Sequence, residues 1–154
     1  MANALVGKTS VTISWLVPDV GVETFREMLQ GHMEFMKAKS HSEGPLELIH
    51  YSISEGPEYK EWGSFAKGKL PDKTGRTVFT LFEIYAEEDG LKHHWIESAE
   101  FLPAMAEAVE LFNVELFIFS HTKITQSLWD KAKAKTVTGR IVTKNLEIYV
   151  PTER

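Results

Sequence analysis

The residues able to do chemistry are few, and they fall in apolar surroundings. Leu91, His94, Trp95 and Ser98 are spaced i, i+3, i+4, i+7, so on a helix they share one face. His93 is rotated about 100° from His94. The two cannot enter one pocket, and the pattern predicts His94 inward and His93 outward. An inward imidazole, with an unperturbed pKa of about 6.5, suits a general base acting on a phenol or enol. The plain alternative is a histidine packed under the helix with one hydrogen bond. Glu83 sits inside the very apolar run 78–85. A buried carboxylate is costly unless paired, so Glu83 needs a partner. It could be a cavity-facing base, an orienter of a histidine, or one half of a structural salt bridge. His50 and His121 interrupt apolar runs in the same way. If the strands line one barrel, Trp15, His50 and Glu83 can meet around a single pocket, with Trp95 adding an aromatic wall. Parity alone does not say which strand face points inward.

Other chemistries lack their residues. The chain has no cysteine, which excludes disulfides, thiolate zinc sites, iron–sulfur clusters and thiol nucleophiles. Its six histidines include no His-x-His and no His-Glu-x-x-His, and adjacent histidines chelate poorly on a helix, so no metal is expected. Gly63, Gly68 and Gly75 match neither nucleotide fingerprint, and there is no Gly-x-Ser-x-Gly elbow. Residues 1–122 carry ten Lys/Arg against nineteen Asp/Glu, and residues 123–154 seven against three. The acidic body should repel nucleic acid and anionic membrane. Lys131, Lys133 and Lys135 lie in an Ala/Lys stretch without aromatics, as expected of a solvated or intramolecularly docked tail. The apolar runs are too short to span a bilayer, and the first residues lack a basic start and a long apolar core. A cytoplasmic protein is expected. At 154 residues and 17.5 kDa, the chain suits one domain with its own core.

The elements that must position these residues follow from periodicity. Val11, Ile13, Trp15 and Val17 alternate with smaller residues and predict a strand over 9–17. Val22, Phe25, Met28/Leu29, Met33 and Met36 predict an amphipathic helix to about residue 39. Residues 46–54 read as a second strand, with Leu46, Leu48, His50 and Ser52 on one face and Glu47, Ile49, Tyr51 and Ile53 on the other. The stretch 55–76 exceeds the usual connection of about 4–6 residues. Its Tyr59, Trp62 and Phe65 predict a packed flap or a short helix. Residues 77–86 give the strongest strand signal, and after an acidic turn come a short helical piece and a helix over about 99–112. Asn113 is its stop, and 114–122 form a fourth strand. The tail offers a short helix near 128–135 and a strand-like arm at 140–150.

The order β-α-β-β-α-β is the ferredoxin-like α+β arrangement, an antiparallel sheet with two helices on one face. All four strands carry apolar residues on both faces, so a lone copy would leave one apolar face wet. Two sheets packed face to face solve this, which predicts a homodimer. The expected division is a barrel domain at 1–124 and a C-terminal extension at 125–154.

Residues 83–101 read Glu83-Ile-Tyr-Ala-Glu-Glu-Asp-Gly-Leu-Lys-His-His-Trp-Ile-Glu-Ser98-Ala-Glu-Phe101. This stretch resembles the antibiotic biosynthesis monooxygenase-like family of dimeric α+β barrels. That family pairs a Glu-x-aromatic strand with an acidic turn, a histidine-bearing helix and a Ser-x-x-Phe-like step. With the element order, the resemblance spans about residues 11–122. It implies a small cofactor-independent monooxygenase-like enzyme holding an aromatic or polyketide-like molecule in the barrel. His94 and Glu83 would be catalytic, and Trp15, His50 and Trp95 would meet the substrate. The family also holds cyclases, isomerases and proteins without known activity. The alternative is therefore a non-catalytic ligand-binding or stress-associated barrel, and a third reading is a dimerisation module with a docking tail. The family's histidine three residues before the serine is here Trp95, with His94 one earlier. Trp95 is shared with the haem-degrading branch, but that branch's ligating histidine falls at Met105 and its strand-one asparagine has no counterpart at 11–17. Haem is thus not expected.

Overall fold

A computed structural model describes residues 5–127. In chain order it contains β1 (Thr9–Pro18), α1 (Val22–Lys39), β2 (Leu48–Tyr59), β3 (Lys73–Tyr85), α2 (Glu88–Glu97), α3 (Leu102–Leu111) and β4 (Glu115–Lys123). The strands lie in the order β2-β3-β1-β4. β3 runs antiparallel to both β1 and β2. This is the ferredoxin-like α+β arrangement. The helix and arm expected at 128–135 and 140–150 fall outside the described residues. Thr9–Thr122 form one compact unit, and the described residues of the chain ends, 5–8 and 123–127, belong to a second. In the second, Gly7 N–H donates to the Ile124 carbonyl at 2.8 Å and Ile124 N–H to the Lys8 carbonyl at 3.0 Å. No helix among the described residues is long and apolar enough to cross a membrane.

Register decides which side chains meet. Thr9 pairs Tyr85, Val11 pairs Glu83, Ile13 pairs Leu81 and Trp15 pairs Phe79, so the odd-numbered residues of β1 and β3 share one face. That face carries the core: Val11, Trp15, Val17, Phe79, Leu81 and Tyr85 pack with Phe25 and Leu29 of α1 and Leu91 of α2. Phe25 is fully buried, its ring stacked 6.3 Å from Phe79 and tilted 6.4 Å from Trp15. The strict alternation expected along the second strand breaks at Ile49. Leu48 pairs Tyr85, but His50 already pairs Ile84, a bulge that takes up one extra residue. Leu48, Tyr51 and Ile53 therefore pack against the core, while His50 and Ser52 turn to the opposite face.

Two further departures have local causes. The stretch 55–76 is strand at both ends: β2 continues to Tyr59, β3 begins at Lys73, and a 3-10 turn at Phe65–Lys67 is the short helix between them. The helix expected at 99–112 starts later, because Ser98–Phe101 is 3-10 and α3 begins at Leu102 with Pro103 in its first turn. Proline has no N–H and its ring crowds the carbonyl four residues back, so α2 cannot run straight into α3. Asn113, at φ 51°, supplies the left-handed residue that ends α3.

The helix-free face is less uniformly apolar than expected. β1 presents Ser10, Thr12 and Ser14 there, with Ser14 Oγ 3.1 Å from Thr80 Oγ1 and Ser10 Oγ 2.8 Å from Thr122 Oγ1. Val78, Phe82 and Ile84 of β3 and the exposed Phe117 and Phe119 of β4 flank this hydroxyl stripe. For the core, Phe25→Ala should cost about 3–5 kcal/mol in urea unfolding, the range for a buried phenylalanine truncated to alanine. A loss under about 1 kcal/mol would show that Phe25 is not the keystone of the helix–sheet contact.

Candidate functional site

The helices do not close fully on the sheet. Between them lies a cavity of about 610 Å³. Val11, Ile13, Trp15, Leu81 and Glu83 floor it, and Met28, His32, His94, Trp95, Phe101, Met105 and Val109 wall it, with Leu116 and Ile118 of β4 alongside. Gly31, Leu102, Ala104 and Ala106 line it and are exposed, so it opens to solvent between α1 and α3. An apolar cavity of about 150 Å³ accommodates benzene. This one has room for several fused rings. It lies on the helix-covered face of the sheet, within a single chain.

One end of this apolar space is polar. Glu83 is 0% exposed. Its Oε2 accepts a hydrogen bond from the Tyr85 hydroxyl at 2.8 Å, while Oε1 is buried with no hydrogen-bond partner among the described residues. His94 Nε2 lies 3.7 Å from Glu83 Oε2. His32 of α1 stands edge-on to His94 at 5.5 Å between ring centres, and its Nδ1 is 2.9 Å from the Tyr51 hydroxyl oxygen. Ligand atoms of His32, Glu83 and His94 all lie within 4.8 Å of one another. Gly90 lets α2 approach: a Cβ there would meet the Tyr85 ring at 3.0 Å and the Leu46 backbone at 3.2 Å. A side chain there would require Tyr85 or the Leu46 backbone to give by a few tenths of an ångström.

Burial sets the charges. It pushes the Glu83 carboxyl up from 4.5 to about 7, with the Tyr85 hydrogen bond pulling the other way. It pushes the His32 imidazole down from 6.5 to about 4. His94 also falls to about 4, through burial first and then the charges of His32 and His93. Burial and the Glu83 charge raise the Tyr51 and Tyr85 phenols, which stay protonated. Near neutrality the cluster therefore consists of neutral imidazoles beside a carboxyl that readily exchanges its proton.

The sequence-derived residues divide. Trp15, Glu83, His94 and Trp95 all line the cavity. Trp95 Nε1–H donates to Ser120 Oγ at 2.9 Å, and Trp15 Nε1 is buried without an acceptor among the described residues. His94 points in, and His93 points out toward Glu97 Oε2 at 3.3 Å. His50 does not join them. It lies on the opposite sheet face, 2.9 Å from Ser52 Oγ and against the Phe82 ring, because the bulge at Ile49 turns it there. His32 and Tyr51 were missed. The available signal was that His32 falls three residues after Leu29 and four before Met36, on the buried stripe of α1.

No protein-family model and no curated protein match the chain. Solved structures that resemble it include a provisionally named antibiotic biosynthesis monooxygenase from Deinococcus radiodurans, with 10% identity and a TM-score of 0.43 over 78% of this chain and 99% of that one. A second of the same provisional name, from Bacteroides thetaiotaomicron, shows 15% identity and a TM-score of 0.44 over 81% and 97%. MupZ from Pseudomonas fluorescens shows 12% identity and a TM-score of 0.43 over 94% and 85%. Likeness this remote carries no information about reaction or ligand.

The raised Glu83 pKa fixes the sign of a pH effect. A carboxyl that holds its proton more tightly when folded contributes stability below pH 4.5 that is lost as pH rises toward about 7. The two imidazoles act oppositely, losing their contribution as pH falls from 6.5 toward about 4. Glu83→Gln keeps an acceptor for Tyr85 and removes only the carboxyl's share. Its urea midpoint should gain steadily on wild type from about pH 4.5 to about pH 7. A difference that does not change with pH would mean that Glu83 is not buried as described.

Proposed function

We propose that the chain is an oxygenase-like enzyme that takes an aromatic or polyketide-like molecule into the cavity and removes a phenolic or enolic proton there. The single observation that carries this reading is Glu83, a buried carboxyl among the residues lining an apolar chamber, whose Oε1 has no hydrogen-bond partner among the described residues. The base most fitted to the task is Glu83 rather than His94. Glu83 is among the residues that line the chamber, and its pKa of about 7 lies near a working pH. His94, held neutral, is a hydrogen-bond partner for the carboxyl and for a substrate oxygen. Trp15 and Trp95 provide flat apolar walls. Reaction of the deprotonated substrate with O2 would then be the substrate's own chemistry. A non-catalytic binding barrel is the second reading, and a titratable carboxyl among the chamber's lining residues argues against it.

The same proposal includes a homodimer. Phe117 and Phe119 of β4 are 44% and 58% exposed on the helix-free face, across the β1 hydroxyls from Phe82, and a second copy would cover this apolar surface. The chamber needs no second copy to exist, so the dimer serves stability rather than the site. Phe117→Asp with Phe119→Asp should give a folded monomer by light scattering; an unchanged mass would reject this face.

The test of function is oxygen uptake with a panel of quinols and polyketide-like phenols, alongside quenching of tryptophan fluorescence on binding. Wild type should bind and turn over at least one of them. Ala106→Trp, which fills the mouth from an exposed helical position, should weaken binding at least about tenfold, the loss expected where a bulky ring occupies ligand space. Glu83→Gln should bind normally and lose about 10²–10⁴-fold in turnover. Tight binding without turnover in wild type would favour the non-catalytic reading.

A further inference from the structure

We infer that His32, Glu83 and His94 form a site for one divalent cation of the iron(II), cobalt(II) or zinc class, with its open positions facing the apolar cavity. The inference deepens the proposed function by naming a cofactor class for that site, and it rests on that reading only for what the ion would do, not for its binding.

The donors come from three elements, α1, β3 and α2, and converge on one point. Their ligand atoms lie within 4.8 Å of one another. With metal–ligand bonds of about 2.0–2.2 Å, donors on one ion stand about 3 Å apart, so side-chain rotations of about 1–2 Å close the site. Two of the three are already oriented from behind. The Tyr85 hydroxyl holds Glu83 Oε2 and leaves Oε1 bare. Tyr51 lies 2.9 Å from His32 Nδ1. When Nδ1–H donates to that oxygen, Nε2 is left with a free lone pair. Outer partners of this kind fix tautomer and ring orientation at metal sites.

Charge argues the same way. Among the described residues, no Lys or Arg pairs with the fully buried Glu83, and His94 is the nearest basic group. A carboxylate so placed needs either a proton or a cation. Two imidazoles and one carboxylate are poor ligands for calcium or magnesium, which take oxygen donors. The set suits iron(II) in a two-histidine, one-carboxylate face, and equally zinc or cobalt(II). With the ion bound, Glu83 becomes a ligand, and a metal-bound water or substrate oxygen takes over the acid–base role.

The full chain, stripped with chelator and titrated with cobalt(II), tests this through visible absorption and metal analysis. One ion per chain is expected. His32→Gln should weaken binding by at least about 100-fold and Tyr51→Phe by about tenfold, as loss of a ligand and of an outer partner do. His93→Gln, on the outer face of α2, should change nothing. No binding by wild type, or binding lost with His93→Gln and kept with His32→Gln, would overturn the site. Near-UV circular dichroism checks that the variants fold, and His94→Gln serves if His32→Gln does not. An anilinonaphthalene dye reports the cavity independently. His32→Gln should still bind it, and a wild type that binds cobalt but no aromatic probe would sink the chamber reading while leaving the metal site standing.

Discussion

The structure turns on one costly act, the burial of a carboxylate in the middle of an apolar sheet. Glu83 pairs across β1 with Val11 and across β2 with Tyr51, and no solvent reaches it. Burying an ionised carboxylate without a partner costs several kcal/mol, a large part of the roughly 5–15 kcal/mol that holds a domain together. The protein meets that cost only halfway. Tyr85 satisfies one oxygen, and the other has no hydrogen-bond partner among the described residues. Polar strain of this kind persists where function uses it.

The space around Glu83 is also under constraint. α1 lies down on the sheet through Phe25 and Leu29, and α2 through Leu91, with Gly90 permitting the closest approach. α3 follows a break imposed by Pro103 and lines the chamber through Met105 and Val109. A void lined by apolar side chains forfeits dispersion contacts and gains them back when a ligand of matching shape enters. The polar cluster and the void adjoin: His32, Glu83 and His94 stand at one end of a chamber otherwise lined by apolar side chains.

Much of this was readable from residue order. The seven main elements, their α+β class, the inward turn of His94 and the burden on Glu83 all follow from period and from the cost of burying charge. The miss at His50 has a definite cause. A bulge is one residue, leaves no compositional mark, and inverts every side chain beyond it. His32 was missed for a different reason. A histidine on a buried stripe looks like any core residue until its neighbours on other elements are known. Spacing rules see only groups that are close in sequence, and the cluster of His32, Glu83 and His94 joins residues far apart along the chain.

The sequence by itself determined the local terms: which segments form strands and helices, which faces are apolar, where Pro103 and Asn113 must interrupt, and that Glu83 would need company. Only the tertiary structure decided who keeps that company. Register across β3 set Tyr51 and Val11 beside Glu83, and helix packing set His32 and His94 above it. Those are distances between residues far apart along the chain. They depend on how whole elements dock, a property of summed packing that no short stretch of residues contains.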